Sequence, residues 1–234
     1  MDKKIEKELL ELVEKNYKQI AGRFNETRKK HQSPLWDKLS KFTGEVEDGE
    51  SVLDVGCGNG RLLDFFKEKQ IDYLGVDTSR ELLKHARDNH PGYEFRHGDI
   101  LHLSQIPKIN FDYVFSIAVL HHIPGRTLRV KALKQLRNKI QERGSIVITV
   151  WNLWNKKKHR QLLIKFFLLK LIRKNKMDFG DIIWDWKSPG GDAVSRRYYH
   201  AFTRHELKKL ARLAGLKTQK IYKDKYNYYL IVSK

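Results

Sequence analysis

Val52-Leu53-Asp54-Val55-Gly56-Cys57-Gly58-Asn59-Gly60 is the stretch of this 234-residue chain that decides its fold. A short apolar strand ends in a glycine-rich turn, and a helix is predicted to follow over residues 61–69. Glycines at such a turn allow backbone N–H groups to approach a ligand closely. The spacing is Gly-x-Gly-x-Gly, with an acid two residues before the first glycine, and differs from the Gly-x-Gly-x-x-Gly of dinucleotide-binding folds. No Gly-Lys-Ser or Gly-Lys-Thr follows, so a phosphate-binding P-loop is not indicated, and the acidic strand end favours a cationic ligand.

A regular alternation of strands and helices extends on both sides of this turn. The predicted strands cover residues 51–55, 73–77, 93–97, 113–117 and 145–150, and further helices are predicted over 79–89 and 127–140. Strands that are almost wholly apolar and separated by helices indicate a parallel sheet covered on both faces. Two last strands, over 217–222 and 228–232, are joined by a short polar turn and predict a terminal hairpin that joins the sheet. The fold class is therefore α/β.

The remaining segments divide one predicted domain into four parts. Residues 1–44 form an N-terminal helical cap, with one helix over 4–21 and another opening at Pro34. Residues 45–151 form the cofactor-binding core. Residues 152–195 are a basic insertion after the fifth strand, with a helix near 158–174 and a loop that carries Trp184 and Trp186. Residues 196–234 form a C-terminal helix and the hairpin.

Two further acids follow neighbouring strands of the predicted sheet. Asp77 ends the second strand, where its carboxylate could accept both hydroxyls of a ribose. Asp99 follows the third strand, where an adenine amino group could be read, with Ile100 beside the ring. Any one of these aspartates could instead be a helix cap or a surface turn. Since ligands bind at the carboxyl ends of open parallel sheets, the candidate cofactor-binding residues are Asp54, Gly56, Gly58, Gly60, Asp77, Thr78, Asp99, Ile100 and Ser116.

Taken together, these strand ends strongly resemble the S-adenosylmethionine-dependent class I methyltransferases, over residues 45–150 and the terminal hairpin. The resemblance implies a Rossmann-like sheet of seven strands, mostly parallel with an antiparallel last strand. It also implies S-adenosyl-L-methionine as the cofactor and an S-adenosylmethionine-dependent methyltransferase as the enzyme class.

Four other stretches resemble the tRNA wobble-uridine carboxymethyl methyltransferases, which include the methyltransferase domain of AlkB-type tRNA hydroxylases. They are the block from Tyr17 to Arg28, Ser116-Ile-Ala-Val-Leu-His121-His122, Thr149-Val-Trp-Asn152, and Arg197-Tyr-Tyr-His200-Ala-Phe202. This resemblance implies methyl esterification of a carboxymethyl group on the tRNA wobble uridine. It also raises a small zinc-binding activator protein as a partner. The chain departs from the family pattern where Pro34 precedes Trp36 and where Arg126 and Arg129 are separated, which leaves the exact tRNA substrate open.

A carboxylate acceptor is already ionised at neutral pH, so methyl transfer to it needs no general base. It needs a cationic or hydrogen-bonding clamp that aligns the acceptor with the methyl group. The candidate catalytic residues for this role are Arg28, His121, Arg197 and His200. One of His121 and His122 is expected to be packed or bonded to the backbone. No third ligand at convincing spacing accompanies the histidines, so no metal is expected.

Charge is the other strong signal. The chain has 47 Lys and Arg against 28 Asp and Glu, and residues 151–234 hold 21 of the former and only 6 of the latter. Such a field attracts polyanions, either nucleic acid or an anionic membrane surface. The single cysteine, Cys57, excludes an intramolecular disulfide framework. The longest apolar-dominated stretch, 162–172, is too short to span a bilayer, and the polar N-terminus has no apolar signal segment, so a cytoplasmic protein is expected.

Two alternatives to an RNA methyltransferase remain open from the sequence. The first is a small-molecule or lipid (quinone-type) methyltransferase, in which 162–172 would lie on a membrane surface and roof an apolar acceptor pocket. The second is a catalytically silent RNA-binding protein, which the intact set of Asp54, glycines and Asp77 disfavours.

Overall fold

The computed structural model describes the backbone of residues 1–27, 34–187 and 193–234, and the side chains of 1–19, 38–185 and 195–234. The α-helices are α1 (Lys3–Thr27), α2 (Pro34–Gly44), α3 (Arg80–Asn89), α4 (Arg126–Arg137), α5 (Lys157–Leu171) and α6 (Arg204–Leu213). The strands are β1 (Ser51–Val55), β2 (Asp72–Asp77), β3 (Glu94–His97), β4 (Phe111–Ile117), β5 (Ile140–Trp151), β6 (Asp181–Lys187), β7 (Ala193–His200), β8 (Lys217–Lys223) and β9 (Asn227–Ser233).

Seven strands form the main sheet, in the order β3-β2-β1-β4-β5-β9-β8. Strands β1 to β5 pair in parallel, whereas β9 is antiparallel to both β5 and β8. The predicted mostly parallel sheet with an antiparallel last strand is therefore confirmed. The strand order of this sheet reverses at β1, which lies between β2 and β4. Open α/β sheets bind ligands in the crevice beside such a switch point.

Apolar residues cover both faces of this sheet, which explains why the strands read as nearly continuous apolar runs. On one face Leu53 and Val55 pack in a core that includes side chains of α4 and α6. On the other face Val52 and Phe115 pack in a core that includes side chains of α2 and α3. Burial on both faces is typical of parallel strands connected by helices.

Several element boundaries differ from the sequence prediction, and hydrogen bonding explains two of them. The helix expected over 61–69 is a single 3-10 turn, Arg61–Phe65, because the Leu63 and Phe66 N–H groups bond to carbonyls three residues earlier, at 3.0 and 2.9 Å. Strand β5 begins at Ile140 rather than at residue 145, since Ile140 pairs with Phe111 before an irregularity in the ladder.

The insertion after β5 contains the predicted basic helix, α5. The prediction of a loop around Trp184 is wrong, because Trp184 lies in a strand. Strand β6 pairs antiparallel with β7 in a separate two-stranded sheet. Four of the seven residues in Asp181-Ile-Ile-Trp-Asp-Trp-Lys187 are β-branched or aromatic, types that are enriched in strands. Because β7 begins at Ala193, this hairpin also crosses the boundary that the sequence analysis drew between residues 195 and 196.

Candidate active site

A cavity of about 580 Å³ opens at the carboxyl ends of β1, β2 and β4. Helix α1 covers one side of it with side chains that include Leu10, Asn16 and Tyr17, and β7 contributes Arg197 and Tyr199. The cavity is therefore enclosed by the sheet mouth, the N-terminal helix and the hairpin of the insertion. The sequence predicts a helix over residues 4–21 but does not indicate that this helix forms a wall of the site.

The glycine turn holds its shape through backbone bonds to β2. The N–H groups of Gly56 and Cys57 both donate to the Val76 carbonyl, at 2.7 and 3.1 Å. The Gly58 N–H donates to Asp77 Oδ2 at 2.8 Å. Gly56 has φ +80°, and a Cβ placed there would lie 2.2 Å from a Val119 methyl carbon. Glycine is thus required at 56 by both backbone conformation and space.

Two carboxyl groups line the mouth of the cavity, that of the buried Asp54 and that of the partly buried Asp77. Burial raises the pKa of Asp54 to about 7, although the Tyr73 hydroxyl donates to it at 3.0 Å and works in the opposite direction. The pKa of Asp77 is also raised by burial, against backbone N–H groups that stabilise its charged form, including those of Gly58 and Ser79. Each carboxylate also disfavours the charge of its neighbour, so the pair favours a cationic ligand.

His122 faces the cavity and His121 does not. The Tyr17 hydroxyl lies 2.8 Å from His122 Nε2, and the two rings meet edge to face. Burial lowers the pKa of His122 to about 4, and the nearby charge of Arg197 contributes. His122 is therefore neutral at physiological pH. The sequence predicts His121 as the histidine that faces the site, whereas in the structure its neighbour His122 lines the cavity.

The expectation that His121 acts on the acceptor is contradicted by its burial. The His121 side chain is fully buried and absent from the cavity wall, and the Trp151 N–H donates to its Nδ1 at 3.3 Å. Burial lowers its pKa well below the usual value for histidine. Its ring lies 4.9 Å from that of Trp151, in line with the expectation that one histidine of the pair is packed.

His200 is likewise wrong as an acceptor-facing residue, because both its ring nitrogens are bonded to carboxylates. Nδ1 lies 2.6 Å from Asp181 and Nε2 lies 2.8 Å from Glu206. Arg129, which is 1% exposed, bonds to the same two carboxylates, and the Tyr198 hydroxyl donates to Asp181 at 2.8 Å. We call this group the buried ion cluster: Arg129, Asp181, Tyr198, His200 and Glu206.

The buried ion cluster joins α4, β6, β7 and α6. Burial works against the charge of Arg129, but Tyr198, Asp181 and Glu206 outweigh it and raise its pKa. Successive side chains of a strand point to opposite faces. Residues 198 and 200 of β7 enter the cluster, so residues 197 and 199 lie on the other face and line the cavity. His200 thus contributes to the site by fixing the register of β7.

Of the sequence-predicted residues, eight line the cavity: Asp54, Gly56, Gly58, Asp77, Thr78, Asp99, Ile100 and Arg197. Gly60 does not line it; it has φ +82° and closes the turn by donating to the Cys57 carbonyl. Ser116 is fully buried beneath the mouth, and Ile117, Ala118 and Val119 reach the cavity in its place. Arg28 lies outside the described residues. The binding and catalytic roles of the eight stay predictions.

The β4 exit carries a backbone feature that sequence reasoning missed. Ala118 has φ +60°, a conformation rarely adopted by residues other than glycine, and its N–H bonds to the Thr149 carbonyl at 3.1 Å. This bend turns Val119 toward Gly56. No signal in the local sequence marks it, since alanine has no preference for positive φ.

The fold and the site together define an S-adenosylmethionine-dependent methyltransferase of class I. The sheet has this class's strand arrangement, and the paired acids with the glycine turn fit a cofactor that carries a sulfonium and an amino group. The Methyltransferase domain family matches residues 24–221, and the chain belongs to this family.

Proteins of similar sequence support the resemblance to the tRNA wobble-uridine carboxymethyl methyltransferases. The tRNA (carboxymethyluridine(34)-5-O)-methyltransferase alkbh8 of Xenopus tropicalis is 29% identical over 96% of this chain and 41% of its own length. The protein of the same name from Saccharomyces cerevisiae is 34% identical over 61% of this chain and 49% of its own length. The chain thus spans less than half of these two relatives. The Schizosaccharomyces pombe protein of that name is 27% identical over 96% of both chains.

Solved structures share the fold at low sequence identity. The DhpI–SAM–HEP complex superposes with a TM-score of 0.68 at 18% identity, covering 97% of this chain and 98% of the other. The methyltransferase in the complex with the Haloferax volcanii Trm112 methyltransferase activator superposes with a TM-score of 0.65 at 16% identity, covering 94% and 96%.

Two negative findings apply to the described residues alone. No helix among them is long and apolar enough to cross a membrane. Within the same ranges, no group of three or more His, Cys, Asp or Glu side chains could hold a metal ion. The expectation that the reaction needs no metal stays a prediction.

Asp54 is expected to make cofactor binding depend on pH. In the ligand-free protein its pKa is about 7, and a bound cation favours the ionised carboxylate. Binding is then coupled to proton loss, so affinity falls as the pH falls below 7, by up to about tenfold per unit. Calorimetry with S-adenosylmethionine between about pH 6 and 8 measures this slope. Asp54→Asn should flatten it, and an unchanged slope in that variant would assign the proton to another group.

Asp181→Asn is expected to destabilise the protein by about 3 kcal/mol, because the buried Arg129 guanidinium loses its buried charged partner and keeps only the partly exposed carboxylate of Glu206. Urea unfolding measures the difference. Asp185→Asn on the same strand is the matched control: its ion pair with Arg196 is exposed, so a loss of under about 1 kcal/mol is expected. Equal losses in the two variants would show that the charge of Asp181 stabilises the protein no more than an exposed ion pair does.

Proposed function

We propose that this methyltransferase acts on RNA and esterifies a carboxymethyl group on the wobble uridine of a tRNA. One observation carries the proposal: the cavity that holds the acidic, glycine-lined mouth also holds Arg197, beside the neutral His122. The acids suit a cationic methyl donor, and the guanidinium suits an anionic acceptor. An arginine can bind both oxygens of a carboxylate at once and so fix its orientation.

The residues of the chain would contribute by binding and alignment. When bound, S-adenosylmethionine supplies an electrophilic methyl group. Asp54 and Asp77 would bind the donor, with Asp99 and Ile100 at its adenine end. Arg197 would align the acceptor carboxylate, which needs no base because it is already ionised. Neutral His122 would add no positive charge that could weaken the nucleophile, and its contact with Tyr17 would fix the ring.

Charge and the names of the relatives support an RNA acceptor. The excess of Lys and Arg over residues 151–234 suits a polyanion. The three relatives described above are named as tRNA carboxymethyluridine methyltransferases. A cytoplasmic site of action is part of this proposal.

The structure removes one support for a lipid acceptor. That alternative required residues 162–172 to roof the acceptor pocket, but none of them lines the cavity. We therefore favour the RNA acceptor.

We propose a small zinc-binding activator protein as a partner of this enzyme. The structural neighbour that was solved with the Trm112 activator supports this. Co-expression that yields a stable heterodimer, with higher turnover than the chain alone, tests it. Full activity of the purified chain without any partner would contradict it.

The experiment for the acceptor is nucleoside mass spectrometry. Purified protein, labelled S-adenosylmethionine and tRNA from cells that lack the methyl ester are incubated together, and the digest is searched for the methyl-ester wobble uridine. Its appearance supports the proposal. Methylation of small carboxylates or lipids with no change in tRNA would refute it. Binding of tRNA should also weaken steeply with salt through counterion release.

A further inference from the structure

The outward surface of α5 and the segment after it exposes an unusual amount of apolar side chain. Six large apolar residues are each 48–61% exposed there: Ile164, Phe167, Leu168, Leu171, Ile172 and Phe179. Among the other large apolar residues in the described part of the chain, only Ile109 is as exposed. We call these six the α5 apolar face. Contiguous exposed apolar surface of this kind typically marks an interaction site.

The α5 apolar face has no function in the fold or in the cavity. Helix α5 packs on the hairpin through other positions, with Leu163 buried in a small core beside Ile182 and Tyr199. None of the six residues lines the cavity. Phe167 and Phe179 contact each other at 5.3 Å between ring centroids, so the face continues from the helix onto the following segment.

Positive charge surrounds the α5 apolar face. Residues 152–177 contain nine Lys and Arg and no Asp or Glu. The charges are densest at the two ends of the helix, in 156–160 and 173–176, and Lys165 lies between them. Long basic side chains can keep their charged ends in the headgroup layer while the apolar residues between them enter the hydrocarbon boundary.

We propose that the α5 apolar face binds the surface of an anionic lipid bilayer. The helix lies in the plane of the interface and does not cross the membrane, since its 15 residues span only about 22 Å. Apolar contact and attraction to anionic headgroups act together here, and either alone gives weak, reversible binding. The association is peripheral and is independent of which acceptor the enzyme methylates.

Charge and chemistry disfavour the other occupants. A second copy of the chain would bring the same acid-free basic segment against this one, and like charges would repel. RNA would bind the lysines, but the branched aliphatic side chains of Ile164, Leu168 and Leu171 offer no stacking surface for its bases. A bilayer supplies negative charge and hydrocarbon in one surface.

Vesicle co-sedimentation of the full chain tests the proposal. Vesicles of phosphatidylcholine alone are compared with vesicles of equal parts phosphatidylcholine and phosphatidylglycerol. Binding is expected to the anionic vesicles and to be at least about tenfold weaker to the neutral ones. The double variant Ile164→Ser/Leu168→Ser should bind anionic vesicles at least about tenfold more weakly than the unaltered chain.

The matched control replaces two exposed apolar residues elsewhere, Ile109 and Leu213, which are 54% and 43% exposed. Ile109→Ser/Leu213→Ser should bind vesicles as the unaltered chain does. Both double variants should keep their affinity for S-adenosylmethionine, which shows that they fold. An equal loss in both, or no binding to anionic vesicles, would overturn the proposal. The proposal would also be overturned if light scattering shows a dimer, or if a complex with tRNA forms, and Ile164→Ser/Leu168→Ser disrupts that dimer or complex while vesicle binding persists.

Discussion

Asp77→Ala is expected to raise the Kd for S-adenosylmethionine by about 100-fold. The two oxygens of this carboxylate accept the Gly58 and Ser79 N–H groups, both at 2.8 Å. Hydrogen bonds to a charged group contribute about 1.5–3 kcal/mol each, and their loss frees the glycine turn. The variant also loses the acceptor proposed for the ribose hydroxyls. Turnover at saturating cofactor should fall much less than affinity.

Calorimetry with S-adenosylmethionine and with its demethylated product measures this effect. Asp88→Ala, at an exposed position in the last turn of α3, is the control for removing one negative charge outside the cavity and should leave the Kd within about twofold. Asp77→Asn retains one acceptor oxygen and is expected to lie between the two. A change of less than about threefold in Asp77→Ala would show that Asp77 contributes little to cofactor binding.

The cofactor side of the site could be predicted from sequence because it is local. Asp54, the glycines, Asp77 and Asp99 each lie at or just after the end of a predicted strand, and parallel strands bring their carboxyl ends to one edge of the sheet. Ser116 does not line the cavity because β4 stays paired with β5 through Ile117, so Ser116 lies within the sheet, and the cavity wall is formed by the three residues that follow it.

The acceptor side could not be predicted in the same way because long-range contacts form it. Tyr17 meets His122 across 105 residues, and Arg129 meets Asp181 across 52. The sequence motif around His200 indicates that this residue has a defined role, but it does not indicate whether the ring faces a ligand or a buried carboxylate. That distinction depends on where Asp181 and Glu206 lie in the fold.

Arg197→Ala is expected to lower kcat/KM for the carboxylate acceptor by about 100- to 1,000-fold, the effect typical of removing one preorganised group that stabilises the transition state. Arg197 lines the cavity close enough to His122 for its charge to lower the pKa of that ring. Arg197→Lys keeps the charge but loses two-point contact with a carboxylate, so an intermediate loss of about tenfold is expected. Methyl transfer under single-turnover conditions measures both.

Arg196→Ala is the matched control, because it removes the same charge one residue away. Arg196 is 68% exposed and pairs with Asp185 on the surface, so its loss should change turnover by no more than about threefold. The Kd for S-adenosylmethionine separates the two possible roles of Arg197. If Arg197 aligns the acceptor, that Kd stays near its original value in Arg197→Ala while turnover falls. If cofactor affinity collapses with it, the guanidinium binds the carboxylate of the donor, and the acceptor clamp must be sought among other residues.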